Sequence, residues 1–173
     1  MKKTKWLVPF LLVFFLSCSQ AANDNIEVQS GKLAMYLTDL PVNAEKVLVT
    51  ISAISVHKTG GAAFPVFSGE REYDLLALRN TPVLLLDVAL EAGKYTMIRM
   101  EVTQGQIQIS SVLYPLNVPS FEVKINCNFT IESGSTTSII LDFDAEKSLQ
   151  VSGNPKNNKY NLRPVIQVKS INQ

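Results

Sequence analysis

The sequence is short of the residues that most often carry chemistry: 173 residues contain 2 Cys, 1 Trp and 1 His. Of the two cysteines, Cys18 directly follows a leader and only Cys127 comes after it, which leaves no intramolecular disulfide to staple a fold. A hydrophobic core must hold it instead, and a single domain of this length can bury one. A lone histidine cannot supply a paired acid–base site. His57 stands beside the turn Lys58-Thr59-Gly60-Gly61, where a solvated side chain is expected rather than a catalytic or metal-bound one. No G-x-S-x-G, H-E-x-x-H or P-loop spacing occurs. Neither sign of charge is in excess, with 16 Lys and Arg against 15 Asp and Glu. That excludes the concentrated positive field on which nucleic-acid binding depends. Nor does any stretch keep a 3.6-residue apolar period, so helix is limited to a turn or two. The expectation is a non-enzyme that needs neither cofactor nor metal.

What is present begins with an address. Lys2, Lys3 and Lys5 precede the apolar run Trp6–Leu16, and Ser17-Cys18 closes it. Residues 1–17 read as a secretory signal peptide, too short for a permanent membrane span. The ending F-L-S-C resembles the bacterial lipobox, with Phe15 where Leu is more usual. It makes Cys18 the acylated residue and the new N-terminus. The alternative is an ordinary signal peptide cut after Ala21 or Ala22. Diacylglycerol plus an amide-linked palmitate gives more than one lipid signal, hence stable anchoring. Residues 18–30 are polar and read as a tether. Ser19 after the cysteine resembles outer-membrane sorting. The expected location is therefore the cell envelope, at the outer membrane of a Gram-negative bacterium. The only tryptophan, Trp6, leaves with the leader.

Residues 31–171 alternate apolar and polar side chains, the period of half-buried strands. Leu33, Met35 and Leu37 share one face of the first. Val47, Val49 and Ile51 share a face of the second, but Ile54 and Val56 take the opposite parity, which predicts a β-bulge near Ser52-Ala53. Short strands over Ala62–Phe67 and Glu72–Leu78 flank a predicted turn at Ser68-Gly69-Glu70. The centre is a predicted hairpin. Leu84, Leu86, Val88 and Leu90 lead into Glu91-Ala92-Gly93-Lys94, and Ile98, Met100 and Val102 lead out. Gly93 is expected at positive φ in that turn. Thr103-Gln104-Gly105 should break the second arm, and Pro115 confines Val112–Val118 to an edge or a bulge. Tyr160–Val168 closes the domain, with Pro164 demoting it to an edge or marking a bulge.

Phe121, Val123, Ile125, Cys127, Phe129 and Ile131 fill one face of the cleanest strand, so Cys127 is expected to be a buried, inert thiol. Asn128-Phe129-Thr130 fits a glycosylation pattern, which a bacterial address discounts. Asp39, before Leu40-Pro41, reads as a turn-closing residue rather than a cation ligand. Asp142 and Asp144 alternate on a strand end, which sets their carboxyl groups about 7 Å apart. They are weak candidates for metal or for an acid pair, and the plainer expectation is two exposed acids, one capping the turn into Ala145-Glu146-Lys147.

Four runs together carry a family resemblance: G-K-L-A-M-Y-L-T-D-L-P, L-E-A-G-K-Y-T-M-I-R-M-E-V, and S-I-I-L-D-F-D-A-E-K-S-L with Y-N-L-R-P-V-I-Q-V. They resemble the domain of unknown function 4382 family of bacterial secreted proteins and lipoproteins, across roughly Gly31 to Ile171. The resemblance implies a β-sandwich close to transthyretin-like and carbohydrate-regulatory-like domains, with no catalytic residues to carry over. Many short strands are equally consistent with a single antiparallel Greek-key sandwich, all-β and immunoglobulin-like. Three functions follow. The first is a lipid-anchored envelope module that binds a protein or a glycan. The second is a pilus-like subunit that exchanges strands. The third is an acid-pair hydrolase. Sugars stack on flat aromatic rings, and with Trp6 gone Tyr36, Tyr73, Tyr95, Tyr114 and Tyr160 remain. Tyr95 and Tyr160 are expected to be needed for packing, which tilts the partner toward a protein. Ligand and oligomeric state are not readable, and no ligand-binding residue is named.

Overall fold

The computed structural model of the chain describes residues 28–39, 44–79, 81–152 and 159–173. The predicted leader, Cys18, most of the tether and Pro41 lie outside the described residues. In order, the strands are β1 (Ser30–Asp39), β2 (Lys46–Lys58), β3 (Ala63–Asp74), β4 (Val83–Glu91), β5 (Gly93–Ile109), β6 (Val112–Pro115), β7 (Glu122–Ile131), β8 (Thr136–Phe143), β9 (Leu149–Ser152), β10 (Lys159–Leu162) and β11 (Ile166–Asn172). Helix among the described residues amounts to a 3-10 turn, Leu75–Leu78, and one α turn, α1 (Ala145–Ser148).

The strands form the expected all-β sandwich. One sheet runs β11-β8-β1-β4; the other runs β3-β2-β5-β6, with β7 also paired to β5, and β9 and β10 make a small hairpin. One pair departs from a purely antiparallel plan, because β1 and β8 run parallel. Leu33, Met35, Leu37, Ile139, Leu141 and Phe143 enter the core from the first sheet. Val47, Val49, Ile54, Val56, Ile98, Met100 and Val102 meet them from the second, and none of these side chains is more than 2% exposed. Each contributes about 1.5–3 kcal/mol through burial, before the entropy of ordering is subtracted.

The bulge in β2 is where the parity flip places it. Pairing with both β3 and β5 slips between Ile51 and Ala53, which keeps Ile51 and Ile54 facing inward together. The central hairpin is overturned. β4 pairs with β1 in one sheet, whereas β5 pairs with β2 and β7 in the other. Glu91–Gly93 is therefore a corner between sheets. Two strands can fill one core as neighbours or face to face, and periodicity alone does not separate these cases. β4 also carries a bulge at Leu85, so Leu85 is buried and Leu84 is 48% exposed, the reverse of the expected parity there.

Two other expected breaks are absent. β3 runs straight through Ser68-Gly69-Glu70, absorbing the surplus residues as a register shift against β2. The segment after it, Leu75–Leu78, is the 3-10 turn rather than strand, started by Asp74 accepting from Leu76 N at 3.2 Å. β5 likewise continues through Thr103-Gln104-Gly105 as a strand of 17 residues. Pro115 behaves as expected and ends the edge strand β6. The single closing strand expected over Tyr160–Val168, however, is broken near Pro164 into β10 and β11, which join different sheets.

Candidate functional site

Gly105 organises one of several ligand-sized clefts among the described residues. A Cβ on it would lie 2.9 Å from a Leu162 methyl and 3.1 Å from one of Leu116, so the missing side chain lets both leucines pack onto β5. β6 and β10 thereby come together. Leu116 N donates to Gly105 O at 2.8 Å, which makes residues 112, 114 and 116 the ones that bond to β5. Residues 113, 115 and 117 turn their backbone groups outward. Asn117 uses its outward pair on β10, donating to Tyr160 O at 2.9 Å and accepting from Leu162 N at 2.8 Å. Pro115 has no N–H to continue the pairing. The two chains meet at the single parallel bridge Asn117–Asn161 and splay apart from it.

The gap is a cleft of about 470 Å³ lined by Tyr114, Pro115, Leu116, Asn117, Lys159, Tyr160 and Asn161. The Tyr114 and Tyr160 rings are 5.5 Å apart between centroids and tilted by 46°. Tyr114 is 38% exposed and Tyr160 half-buried. Asn117 Nδ2 donates to Asn161 Oδ1 at 2.9 Å, which fixes the amide on the cleft wall. Aromatic faces beside a fixed amide suit a ligand that is apolar on one side and rich in hydroxyl or amide groups on the other. The sequence names Tyr114 as a stacking candidate and assigns Tyr160 to packing. Sequence reading misses Asn117 and Gly105, and the signal for Gly105 is a glycine inside a strand pattern, which marks close approach as often as a break.

A second cavity, about 260 Å³, opens at the β4–β5 corner between Ser30, Lys58, Phe64, Ala89, Leu90, Glu91 and Tyr95. Its polar groups are matched to each other. Lys58 pairs with Glu91 at 2.6 Å, and Tyr95 OH donates to Glu91 O at 2.8 Å. Burial pushes the Tyr95 hydroxyl up, with Lys58 pulling the other way and Glu91 adding to the rise. Tyr95 also stacks on Phe129 at 5.2 Å, so its expected packing role holds. Gly93 has φ +148, the positive value expected, but in the sheet-to-sheet corner rather than in a hairpin turn.

The acids are not surface groups. Asp142 is 5% and Asp144 2% exposed, which corrects the expectation of two exposed carboxylates. Asp144 does cap α1, accepting from Lys147 N at 2.9 Å and from Lys147 Nζ at 2.6 Å. Asp142 Oδ2 accepts from Gln167 Nε2 at 3.3 Å. Asp39 is also buried, and its Oδ1 accepts from Ala145 N at 3.0 Å, tying the end of β1 to α1. Among the described residues no three His, Cys, Asp or Glu side chains group as a metal set. His57 is half-buried rather than solvated, with Nε2 shielded from solvent. Cys127 is free but half-buried instead of fully buried, because β7 carries a bulge beside it, where the pairing with β5 slips between Tyr95–Phe129 and Met97–Asn126. Burial raises its thiol pKa more than a backbone hydrogen bond from Ile98 lowers it, so the reactive thiolate is disfavoured.

A protein-family model described as Domain of unknown function (DUF4382) matches residues 30–164. The chain belongs to this family. The match spans every strand from β1 to β10 and therefore includes both walls of the Tyr114–Tyr160 cleft. No curated protein matches the chain. A solved structure from Bacteroides ovatus ATCC 8483, a candidate cell adhesion protein, aligns at 9% identity with a TM-score of 0.26. The alignment covers 83% of this chain and 44% of that one, so this chain spans under half the length of that protein. At that score the likeness bears on neither architecture nor partner.

Proposed function

We propose that the chain is a lipid-anchored, non-catalytic binding module of the bacterial envelope that holds a protein or glycan partner in the Tyr114–Tyr160 cleft. The observation that carries this reading is an exposed Tyr114 in contact with a half-buried Tyr160 and set beside a fixed amide, at the rim of a rigid sandwich. Binding groups commonly sit at such strand ends, positioned by a scaffold that does not move. The carboxylates that would serve a hydrolase support structure instead: Asp144 caps α1 and Asp142 faces Gln167. The anchor rests on the F-L-S-C ending, and a tether from Cys18 to Ser30 reaches at most roughly 40 Å, which keeps the module close to its membrane.

A pilus-like subunit is the competing reading, favoured by the exposed edge residues Val112 and Leu113 on β6. Strand addition needs successive outward N–H and C=O groups. Pro115 lacks the N–H and Asn117 has already bonded to β10, so β6 offers only Leu113 in full.

Two measurements test the proposal. Cys18→Ala should move the protein from the membrane fraction to the soluble one; unchanged detergent partition would remove the anchor. The soluble Cys18→Ala protein should still sediment with isolated envelopes, and adding Tyr114→Ala should abolish that. Sedimentation that ignores Tyr114 would place the binding surface elsewhere.

A further inference from the structure

The chemistry of the Tyr114–Tyr160 cleft separates a protein partner from a glycan. A peptide laid into the gap would bond through the β6 edge. That edge is interrupted by Pro115 and closed at Asn117, so a guest strand finds one residue with both groups outward. A saccharide asks for something different. Its axial C–H face is apolar and stacks on an aromatic ring, while its rim presents hydroxyl groups that pair with amides.

The cleft offers those two elements side by side. Tyr114 is the most exposed ring on the wall, with Tyr160 tilted 46° against it. The two rings pack on each other at 5.5 Å between centroids, so Tyr160 braces Tyr114 as a surface for a sugar ring. The Asn117 amide is held at 2.9 Å by Asn161 and need not be ordered when a ligand arrives. Lys159 places a cation at the rim. The volume of about 470 Å³ lies within the range of about 300–1,000 Å³ usual for small-molecule seats. Tyr160 is half-buried and packs against the core, as expected, while also lining the cleft, so Tyr114 is the ring left for a sugar to stack on.

We infer that the ligand of the Tyr114–Tyr160 cleft is a glycan, bound by stacking on Tyr114 and by hydrogen bonds to the Asn117 amide. The inference rests on the reading of this cleft as the binding site. Binding is non-catalytic, so the sugar is released unchanged.

The test uses the full chain purified in detergent and titrated calorimetrically with maltohexaose, cellohexaose, xylohexaose, hexa-N-acetylchitohexaose and oligogalacturonate. At least one is expected to bind. Tyr114→Ala should weaken that binding about tenfold, the upper range for one aromatic contact. Tyr114→Phe keeps the ring and should stay close to the parent, which guards against a variant that merely misfolds. Asn117→Ala should weaken binding, and Phe64→Ala, at the other cavity, should not. If no saccharide binds while envelope sedimentation still depends on Tyr114, the glycan is wrong and the module reading stands. If neither is seen, both fall. A saccharide that binds Tyr114→Ala and parent equally overturns the site.

Discussion

Asp144 is nearly fully buried, and burial by itself raises a carboxyl pKa. Hydrogen bonds from the Lys147 side chain and backbone, with the Lys147 charge, outweigh it and hold the folded-state value below the ordinary carboxylate range. The folded pKa is the lower of the two. Its stabilising effect is therefore complete above the unfolded value of about 3.9 and is lost as the pH falls through the folded one. Asp144→Ala should cost about 0.5–2 kcal/mol at neutral pH, the ordinary worth of an N-cap. The gap in melting temperature between parent and variant should narrow on acidification below about pH 4; a constant gap would mean the carboxylate charge is idle. Gly93 and Gly69 give a second comparison at this scale. Both have positive φ, +148 and +145. A Cβ on Gly93 would fall 2.6 Å from Lys58 Cε, whereas one on Gly69 would rest 3.7 Å from the Phe67 ring. Gly93→Val should cost roughly 1–3 kcal/mol of backbone strain and also displace Lys58 from Glu91. Gly69→Val should cost less, since it meets no clash. Equal melting points for the two would contradict this.

The β5–β6 hairpin turns on Ser110 and Ser111, both left-handed at φ 49 and 63. That is the backbone of a type I′ turn, which Asn-Gly adopts with far less strain than Ser-Ser. The Glu45 carboxylate helps to hold it, accepting from Ser111 N at 3.0 Å and from Gln108 Nε2 at 3.1 Å. Replacing Ser110-Ser111 by Asn-Gly should raise stability by about 0.5–2 kcal/mol in a chemical melt. A loss would show that the serine side chains contribute something the backbone geometry does not. This hairpin also shows how far the sequence was legible. Inner and outer faces came from alternation, and the bulge at Ser52 came from a parity flip. Sheet membership did not, because β4 and β5 reach the same core from opposite sides and so carry the same pattern. The breaks expected at Ser68-Gly69-Glu70 and Thr103-Gln104-Gly105 were misread for one reason. Glycine marks a turn when the chain reverses and a bulge or close contact when it does not. Asp142 and Asp144 were legible as a pair but not as buried groups, since β8 lies between β1 and β11, which set Thr38 and Gln167 on either side of Asp142.

At the scale of the whole molecule, a two-sheet sandwich of the Domain of unknown function (DUF4382) family presents one cleft whose tyrosines and amide face outward. The second cavity has its charges paired internally at Lys58 and Glu91, and the buried acids are committed to the fold. The Tyr114–Tyr160 cleft is legible only once β10 is placed beside β6, because its walls are separated by some forty residues of sequence and meet through a single bridge. Its position is also what makes the central claim easy to test. The most direct measurement follows backbone and tyrosine-ring resonances of the chain in solution while the oligosaccharide that binds is added. Shifts should concentrate at residues 114–117 and 159–161. Shifts centred on Phe64, Glu91 and Tyr95, or spread evenly over the sandwich, would contradict the assignment.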